Sequence, residues 1–450
     1  MTALIARDDL EARIRAAVAQ TGGERLCAFA VIRSRSVTRF ADSSIHQAFD
    51  ESNIRIEFRS RGHHGVSVTA ATSALDAPTL AQTAARVIAT APAQSPPLSA
   101  ETSRDQGTHD DSGWSLATTA SSHEERADAL RAAFGTAAPA VSFAGVFGAR
   151  TLSFLHLRRD APASFARISK AYFNVFGVGP RGDEGFDGCA HRDIAELNID
   201  ASVRTATERA LRASAPKRRV CRGPIEAILA PDAVEELMSW AAPIGFGGKM
   251  FVEGAGFSAG RLGEPMFDAA LTIHDDGLSD DPLAVRMPFD CEGTPKRCVT
   301  LVDRGRVVGI AHDSTTADLA GTVSTGHAPH DDVEAGPLPL HLFIAPGDAS
   351  VDDLVRGVEH GLWITRFHYV NGYVNPREGA MTGLTRGGTF LIERGKITDP
   401  IETARFSDRF PAIFSSIARI GAERRLIPSW LHDAAGSVVP AIHVRALNLT

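Results

Sequence analysis

The chain has 450 residues, a length that at about 150 residues per domain allows up to three domains and excludes a single small module. Hydrophobic residues make up 44% and charged residues 22%, enough to fill a sizeable core and to exclude disorder of the whole chain. Lys+Arg 47 against Asp+Glu 54 gives a net charge of -7, which builds no positive field for nucleic acid and excludes it as an expected partner.

Aromatic residues are only 7% while Gly reaches 40 and Pro 24, so many turns and substantial β structure are expected. Leu10, Ile14, Ala17 and Val18 recur at helical spacing behind Asp8 and predict a helix over 8–21. Arg7, Asp8 and Asp9 follow only a few apolar residues, which argues against a signal peptide. Residues 27–32, 37–41, 54–59 and 66–71 are short Val-, Ile- and Phe-rich runs separated by polar breaks, the pattern of an antiparallel meander. A helix over 79–90 follows, and residues 91–113, dense in Pro, Ser, Thr and Asp, read as a long exposed loop. A helix over 123–134, strands near 140–157 and 164–177, and a helix over 193–213 complete an α+β amino-terminal domain with an antiparallel sheet. The longest uncharged run, Ala132 to Ala149, holds Gly135, Pro139, Gly145 and Gly148 and reads as helix end, turn and strand, so no membrane partner is expected.

Lys217, Arg218, Arg219 and Arg222, between Pro216 and Pro224, read as a solvated linker that divides the chain into domains 1–215 and 220–450. Beyond it the pattern becomes mainly β and rich in hairpins. Residues 299–302 and 306–310 flank Asp303-Arg304-Gly305, and residues 390–393 and 396–398 flank Arg394-Gly395, where glycine supplies positive φ. Helix Pro231–Ala241 is marked by Asp232 and Glu235 at capping-box spacing. The five cysteines are odd in number and include no C-x-x-C, which fits a reducing cytoplasm better than a disulfide framework.

A zinc peptidase helix needs two histidines one turn apart with a glutamate beside the first. Of the 16 histidines only His123 precedes a glutamate, and Ala127 and Asp128 stand where the second ligand belongs. His327, His330, Asp331 and Asp332 come nearest to a metal cluster, but Pro329 between them favours a solvated loop. Gly256-Phe257-Ser258-Ala259-Gly260 matches G-x-S-x-G, yet its short flanks suit a glycine-rich loop rather than a nucleophile elbow. Gly245-Phe246-Gly247-Gly248-Lys249 lacks the Walker spacing, so phosphate cofactors have no support. Asp290 and Glu292 raise the thiol pKa of Cys291 between them, which suits a half-buried structural cysteine. With Gly293, these acids form an unusual cluster ahead of a hairpin, suited to holding a backbone or peptide amine.

The stretches MPFDCEGTPKRCVTLVDRGRVVGIAHDSTTA, VSTGHAP, FIAPGDASVDDLVRGVEHGLWI and GGTFLIERGKITDPI, in that order over about residues 220 to 450, resemble the TldD/PmbA family. The resemblance implies a two-domain, cytoplasmic, dimeric protein, and in the catalytic TldD branch a zinc held by a His-Glu-x-x-x-His helix and a later cysteine. The corresponding stretch here, Ala233 to Trp240, has no histidine, and no cysteine follows Cys298. The chain therefore resembles the PmbA or TldE branch, whose members pair with a TldD subunit and lack their own metal site.

That likeness sets the expectations. The chain is expected to be the metal-free subunit of a TldD/TldE-type metallopeptidase acting on unfolded or small modified peptides, bound by strand addition. It would carry no cofactor, with zinc only in a TldD-type partner, and would form a heterodimer with that partner or a homodimer. Asp290, Glu292, Gly293, Ser324, Thr325 and Gly326 are the candidate peptide-cleft residues, and no catalytic residue is assigned. Helix Pro231–Ala241 should be filled by Leu237, Met238 and Trp240 as a dry, packed site. Two alternatives stand beside this reading: a stand-alone peptide-tailoring hydrolase using Cys291 or Ser258, and a non-catalytic homodimeric peptide-binding protein.

Overall fold

The spacing of Leu10, Ile14, Ala17 and Val18 produces α1 (Arg7–Gln20), which buries all four. The computed structural model describes residues 5–21, 26–61, 67–90, 107–159, 161–329, 336–429 and 432–450. After α1 the amino-terminal half contains β1 (Cys27–Ala41), β2 (Ser44–Arg61), β3 (Ser67–Thr72), α2 (Ala77–Thr90), β4 (His109–Gly113), α3 (Leu116–Ala120), α4 (His123–Gly135), β5 (Ser142–Arg158), β6 (Ser164–Val178), β7 (Glu184–His191) and α5 (Ile199–Ala213). Among the described residues the strands form a seven-stranded sheet ordered β3-β2-β1-β5-β6-β4, with β7 also on β6. All its pairings are antiparallel except β4 with β6.

Three local expectations change. The polar residues 33–36 do not break the first strand. Their backbone is paired on both sides, by β2 and β5, and their hydroxyls find partners, as where Ser34 Oγ meets Ser52 Oγ at 2.7 Å. Residues 109–113 are not loop, because β4 adds to β6, while 91–106 lie outside the described residues. The helix expected over 193–213 splits into a short 3-10 turn capped by Asp193 and α5, which Asn198 caps at Ala201 N. Two successive side-chain caps make two starts.

The carboxy-terminal half contains β8 (Gly223–Leu229), α6 (Pro231–Ala241), α7 (Gly248–Val252), β9 (Ile273–Asp275), β10 (Val299–Asp303), β11 (Arg306–Val307), α8 (Ser314–Ala320), β12 (His341–Ile344), α9 (Val351–Arg356), β13 (His360–Asn375), β14 (Ala380–Glu393), β15 (Lys396–Pro400), β16 (Arg405–Arg409), α10 (Phe410–Ser415), β17 (Ile417–Pro428) and β18 (Gly436–Leu449). The larger sheet runs β11-β10-β9-β12-β18-β16-β14-β13-β8, and β8 pairs back onto β18, so its last five strands close on themselves. The pairings of β12 with β18 and of β13 with β8 are parallel, which makes the sheet mixed. Both hairpins turn as the sequence requires: φ is 44° at Arg304 and 79° at Gly305, 49° at Arg394 and 71° at Gly395. The basic connector between α5 and β8 is exposed but pinned, with Lys217 Nζ 2.6 Å from Asp183 and Arg219 Nε 3.0 Å from Glu402. No helix is long and apolar enough to cross a membrane among the described residues.

One apolar cluster joins the sheets, with Phe29, Phe154 and Ile168 from the first packed among Met287, Phe289 and Phe343. A second surrounds α6 and includes Phe257, whose ring lies 5.9 Å from that of Phe410. A Cβ at Gly245 would fall 1.8 Å from the Phe257 ring, so glycine is required there by contact rather than by conformation. Gly245→Ala is expected to cost about 1–3 kcal/mol through forced repacking, measured as a lowered urea midpoint.

Candidate functional site

α6 begins at Pro231 because the fixed φ of proline suits the first helical position; Ala230 is its N-cap and no side chain caps it. The expected capping box does not form. Asp232 instead falls within the first turn, with its carboxylate 3.7 Å from Arg425. Positions 232, 235, 236 and 239 are spaced i, i+3, i+4 and i+7, so Asp232, Glu235, Glu236 and Ser239 share one face of the helix. Val234, Leu237, Met238 and Ala241 are buried, and the helix packs on β13 and β18.

Asp232, Glu235 and Glu236 line a cavity of about 130 Å³, with Asn174 and Cys189 from the first sheet, Arg366 from β13 and Ile427 from β17. The expectation of a dry, packed helix therefore holds only in part. Leu237 and Met238 are fully buried, and Trp240 packs edge-on against Tyr373 at 5.6 Å, but the carboxylate stripe faces open space. Glu235 is 2% exposed, and Ser239 Oγ donates to its Oε1.

Burial dominates the electrostatics. It pushes the Glu235 carboxyl up to about 8, against the Ser239 hydrogen bond and with help from Glu236 and Asp232. It pushes Glu236 up to about 7, opposed by Arg366, and raises Asp232 against Arg425. Lys170 is buried nearby; burial and then Arg150 bring its ammonium down to about 7, and its Nζ donates to the carbonyls of Asp433 at 2.8 Å and Ala435 at 2.9 Å. The Cys189 thiol is pushed by burial up to about 11, so it enters the cavity as a neutral group. The cavity thus presents Glu235 and Glu236 as carboxyls that exchange protons near neutral pH, suited to holding a cationic or hydrogen-bonding group.

Zinc does not fit this donor set. α6 offers carboxyl oxygens and no imidazole nitrogen or thiolate, and among the described residues no three His, Cys, Asp or Glu side chains are arranged to hold a metal ion.

The cleft residues expected from sequence gather elsewhere, at the junction of the sheets. Asp290 Oδ1 accepts from Glu292 N and Thr294 N, each at 2.9 Å, and its Oδ2 accepts from Ala328 N at 2.9 Å. Glu292 accepts from Ser314 Oγ at 2.9 Å and Ser314 N at 3.1 Å. Burial raises both carboxyls. Every oxygen of these two acids is met by a protein donor. Gly293 turns with φ 77° against the His156 ring, and Gly326 with φ 76° against Pro295 and Lys296. Ser324 Oγ accepts from Gly326 N at 3.2 Å, and Thr325 N donates to His312 O at 3.0 Å. Thr325 Oγ1 lies 2.9 Å from His327 Nδ1, and His327 Nε2 lies 2.8 Å from Asp275 Oδ1. Burial and then Lys296 lower the pKa of His327, so it stands as a neutral imidazole donating to Asp275. His327 is a core residue rather than a solvated loop residue, while His330, Asp331 and Asp332 lie outside the described residues.

Neither candidate nucleophile is exposed. Cys291 is 1% exposed, its Sγ donates to Pro329 O at 2.8 Å, and burial holds its thiol well above the usual range. It is fully buried rather than half-buried. Ser258 is 1% exposed and donates to the Gly245 carbonyl.

These features define a two-sheet α+β protein with a carboxyl-bearing helix set against the first sheet. Residues 222–450 match the model of the PmbA/TldA metallopeptidase C-terminal domain, and the chain belongs to the PmbA/TldD family. It is 30% identical over 147 residues to a metalloprotease TldD homologue of Haemophilus influenzae, covering 32% of this chain and 30% of that protein. It is 24% identical over 252 residues to a metalloprotease TldD homologue of Buchnera aphidicola, covering 56% and 51%. The matches thus span at most about half the length of these relatives. The fold is similar to TldE from Thermococcus kodakarensis, with a TM-score of 0.79 at 19% identity over 98% of this chain and 100% of that one. It is also similar to a protein of Thermotoga maritima, with a TM-score of 0.81 at 16% identity over 99% and 100%.

Proposed function

We propose that this chain is the metal-free subunit of a TldD/TldE-type peptidase, pairing with a TldD-type zinc subunit to act on unfolded or small modified peptides. The observation that carries this reading is the face of α6 that lines the carboxyl cavity. In this chain the stretch corresponding to the zinc helix of the catalytic branch carries Asp232, Glu235, Glu236 and Ser239, with neither imidazole of the His-Glu-x-x-x-His pattern, and among the described residues no three His, Cys, Asp or Glu side chains are grouped to hold a metal ion. The likeness to TldE and to TldD homologues supports it, as does the burial of Cys291 and Ser258, which weighs against a stand-alone hydrolase.

The test purifies the chain alone and with a TldD-type subunit bearing His-Glu-x-x-x-His, then measures zinc content and cleavage of an unfolded peptide. Zinc and cleavage are expected only in the pair. Stoichiometric zinc, or robust cleavage, in the chain alone overturns the reading.

A further inference from the structure

A second cavity lies on the other side of Asp232, and its chemistry is opposite to that of the carboxyl cavity. Its volume is about 380 Å³, within the range of about 300–1,000 Å³ typical of small-molecule sites. The walls combine an apolar floor of Trp363, Phe390 and Ile397 with the arginines Arg209, Arg212, Arg424 and Arg425, of which Arg424 is paired with Asp281 at 2.7 Å.

The guanidiniums are not equivalent. Arg209 Nη1 lies 3.2 Å from Asp187 Oδ1, and Arg425 Nη1 lies 3.3 Å from the same oxygen and 3.7 Å from Asp232 Oδ2. These two cations are balanced by two carboxylates. Arg212 has no carboxylate partner among the described residues. Its Nη1 donates to the Ile397 carbonyl at 2.8 Å, and its guanidinium carbon sits 5.8 Å from the centre of the Phe390 ring. That carbonyl and ring hold Arg212 over the apolar floor while leaving its charge and its remaining N–H donors unmatched.

We propose that this cavity binds an organic monocarboxylate with an apolar body, of the kind presented by the carboxyl-terminal residue of a short peptide. The carboxylate meets Arg212, and the apolar side chain lies against Trp363, Phe390 and Ile397. The size and wall chemistry suit one such residue. A phosphate dianion is disfavoured, because Arg212 alone is unbalanced and Glu208 and Glu423 stand exposed among the lining residues. The proposal goes beyond the partner-subunit reading and requires neither a partner nor zinc.

The test uses the full chain alone, titrated calorimetrically with N-acetylphenylalanine and with its amide, which keeps the apolar body and loses the charge. The acid is expected to bind at least about tenfold tighter than the amide, the size of effect a charge-assisted hydrogen bond gives. Arg212 is exposed, so Arg212→Gln is expected to leave the fold intact and to abolish that preference. Thr205, half-buried on α5, lines the cavity; Thr205→Trp should occlude it and weaken both ligands, with an unchanged circular dichroism spectrum as the check on folding. Equal affinity for acid and amide, absence of binding by either, or an acid preference that survives Arg212→Gln overturns the proposal. Each of these failures leaves the partner-subunit reading untouched, since zinc and cleavage by the pair are measured separately.

Discussion

Arg59→Met is expected to destabilise the chain by about 3–5 kcal/mol, read as a lowered urea midpoint, because it removes the buried guanidinium set between the buried acids Glu57 and Glu292. The Arg59 side chain is 6% exposed on β2, and its Nη2 donates to Glu57 Oε1 at 2.8 Å and to the Pro329 carbonyl at 3.1 Å. Its Nη1 lies 3.5 Å from Glu292. Glu57 and Glu292 are each 3% exposed, so neither recovers its hydration when the guanidinium is lost. The loss also reaches across the molecule, since Pro329 and Glu292 belong to the carboxy-terminal half. Separation of one unfolding transition into two is therefore the expected secondary sign. The control is Arg55→Met. Arg55 contacts the same Glu57 at 3.5 Å but is 40% exposed, and its loss is expected to cost under about 1 kcal/mol. Equal costs for the two variants would show that burial does not set the value of Arg59.

The same junction shows what sequence reasoning reaches and where it stops. Local signals are legible: apolar spacing in α1, Arg-Gly turns in two hairpins, and Pro231 at the start of α6 all act within a few residues. Long strands are less so. Arg33 to Ser36 look like a break, and only pairing with both β2 and β5 makes them strand. The candidate site is missed, because the sequence reads α6 as a packed helix and puts the cleft at Asp290 and Glu292. The acidic stripe on α6 is visible as spacing, but the same Asp232 and Glu235 also satisfy a capping box, and only the position of Pro231 at N1 decides between the two. The remaining walls of the cavity, Asn174, Cys189, Arg366 and Ile427, come from β6, β7, β13 and β17. No spacing in one sequence links side chains from four strands. The Asp290 and Glu292 cluster illustrates the converse: an unusual local composition whose carboxylates turn inward to hold loops together.

Glu235→Gln is expected to gain stability relative to the parent chain as pH rises, by up to about 4 kcal/mol between pH 5 and pH 9. Burial first, with Glu236 and Asp232, pushes the folded carboxyl from 4.5 up to about 8. Between those values the folded state holds a proton that the unfolded state has released. The contribution of Glu235 is thus fully present below about pH 4.5 and is lost as pH rises through about 8, at about 1.4 kcal/mol per pH unit. Glutamine stays neutral and keeps an acceptor for Ser239 Oγ, so parent and variant should agree within about 1 kcal/mol at pH 4.5 and diverge above it. Lys170 works in the other direction: burial and Arg150 lower its folded pKa from 10.5 to about 7, so its contribution is present above about 10.5 and is lost as pH falls through about 7. Because Lys170 is present in both proteins, the difference curve isolates Glu235 apart from the coupling between the two groups. Urea midpoints at half-unit steps of pH supply that curve. A flat difference from pH 5 to pH 9 would mean that Glu235 ionises as a solvated carboxylate and is charged at neutral pH.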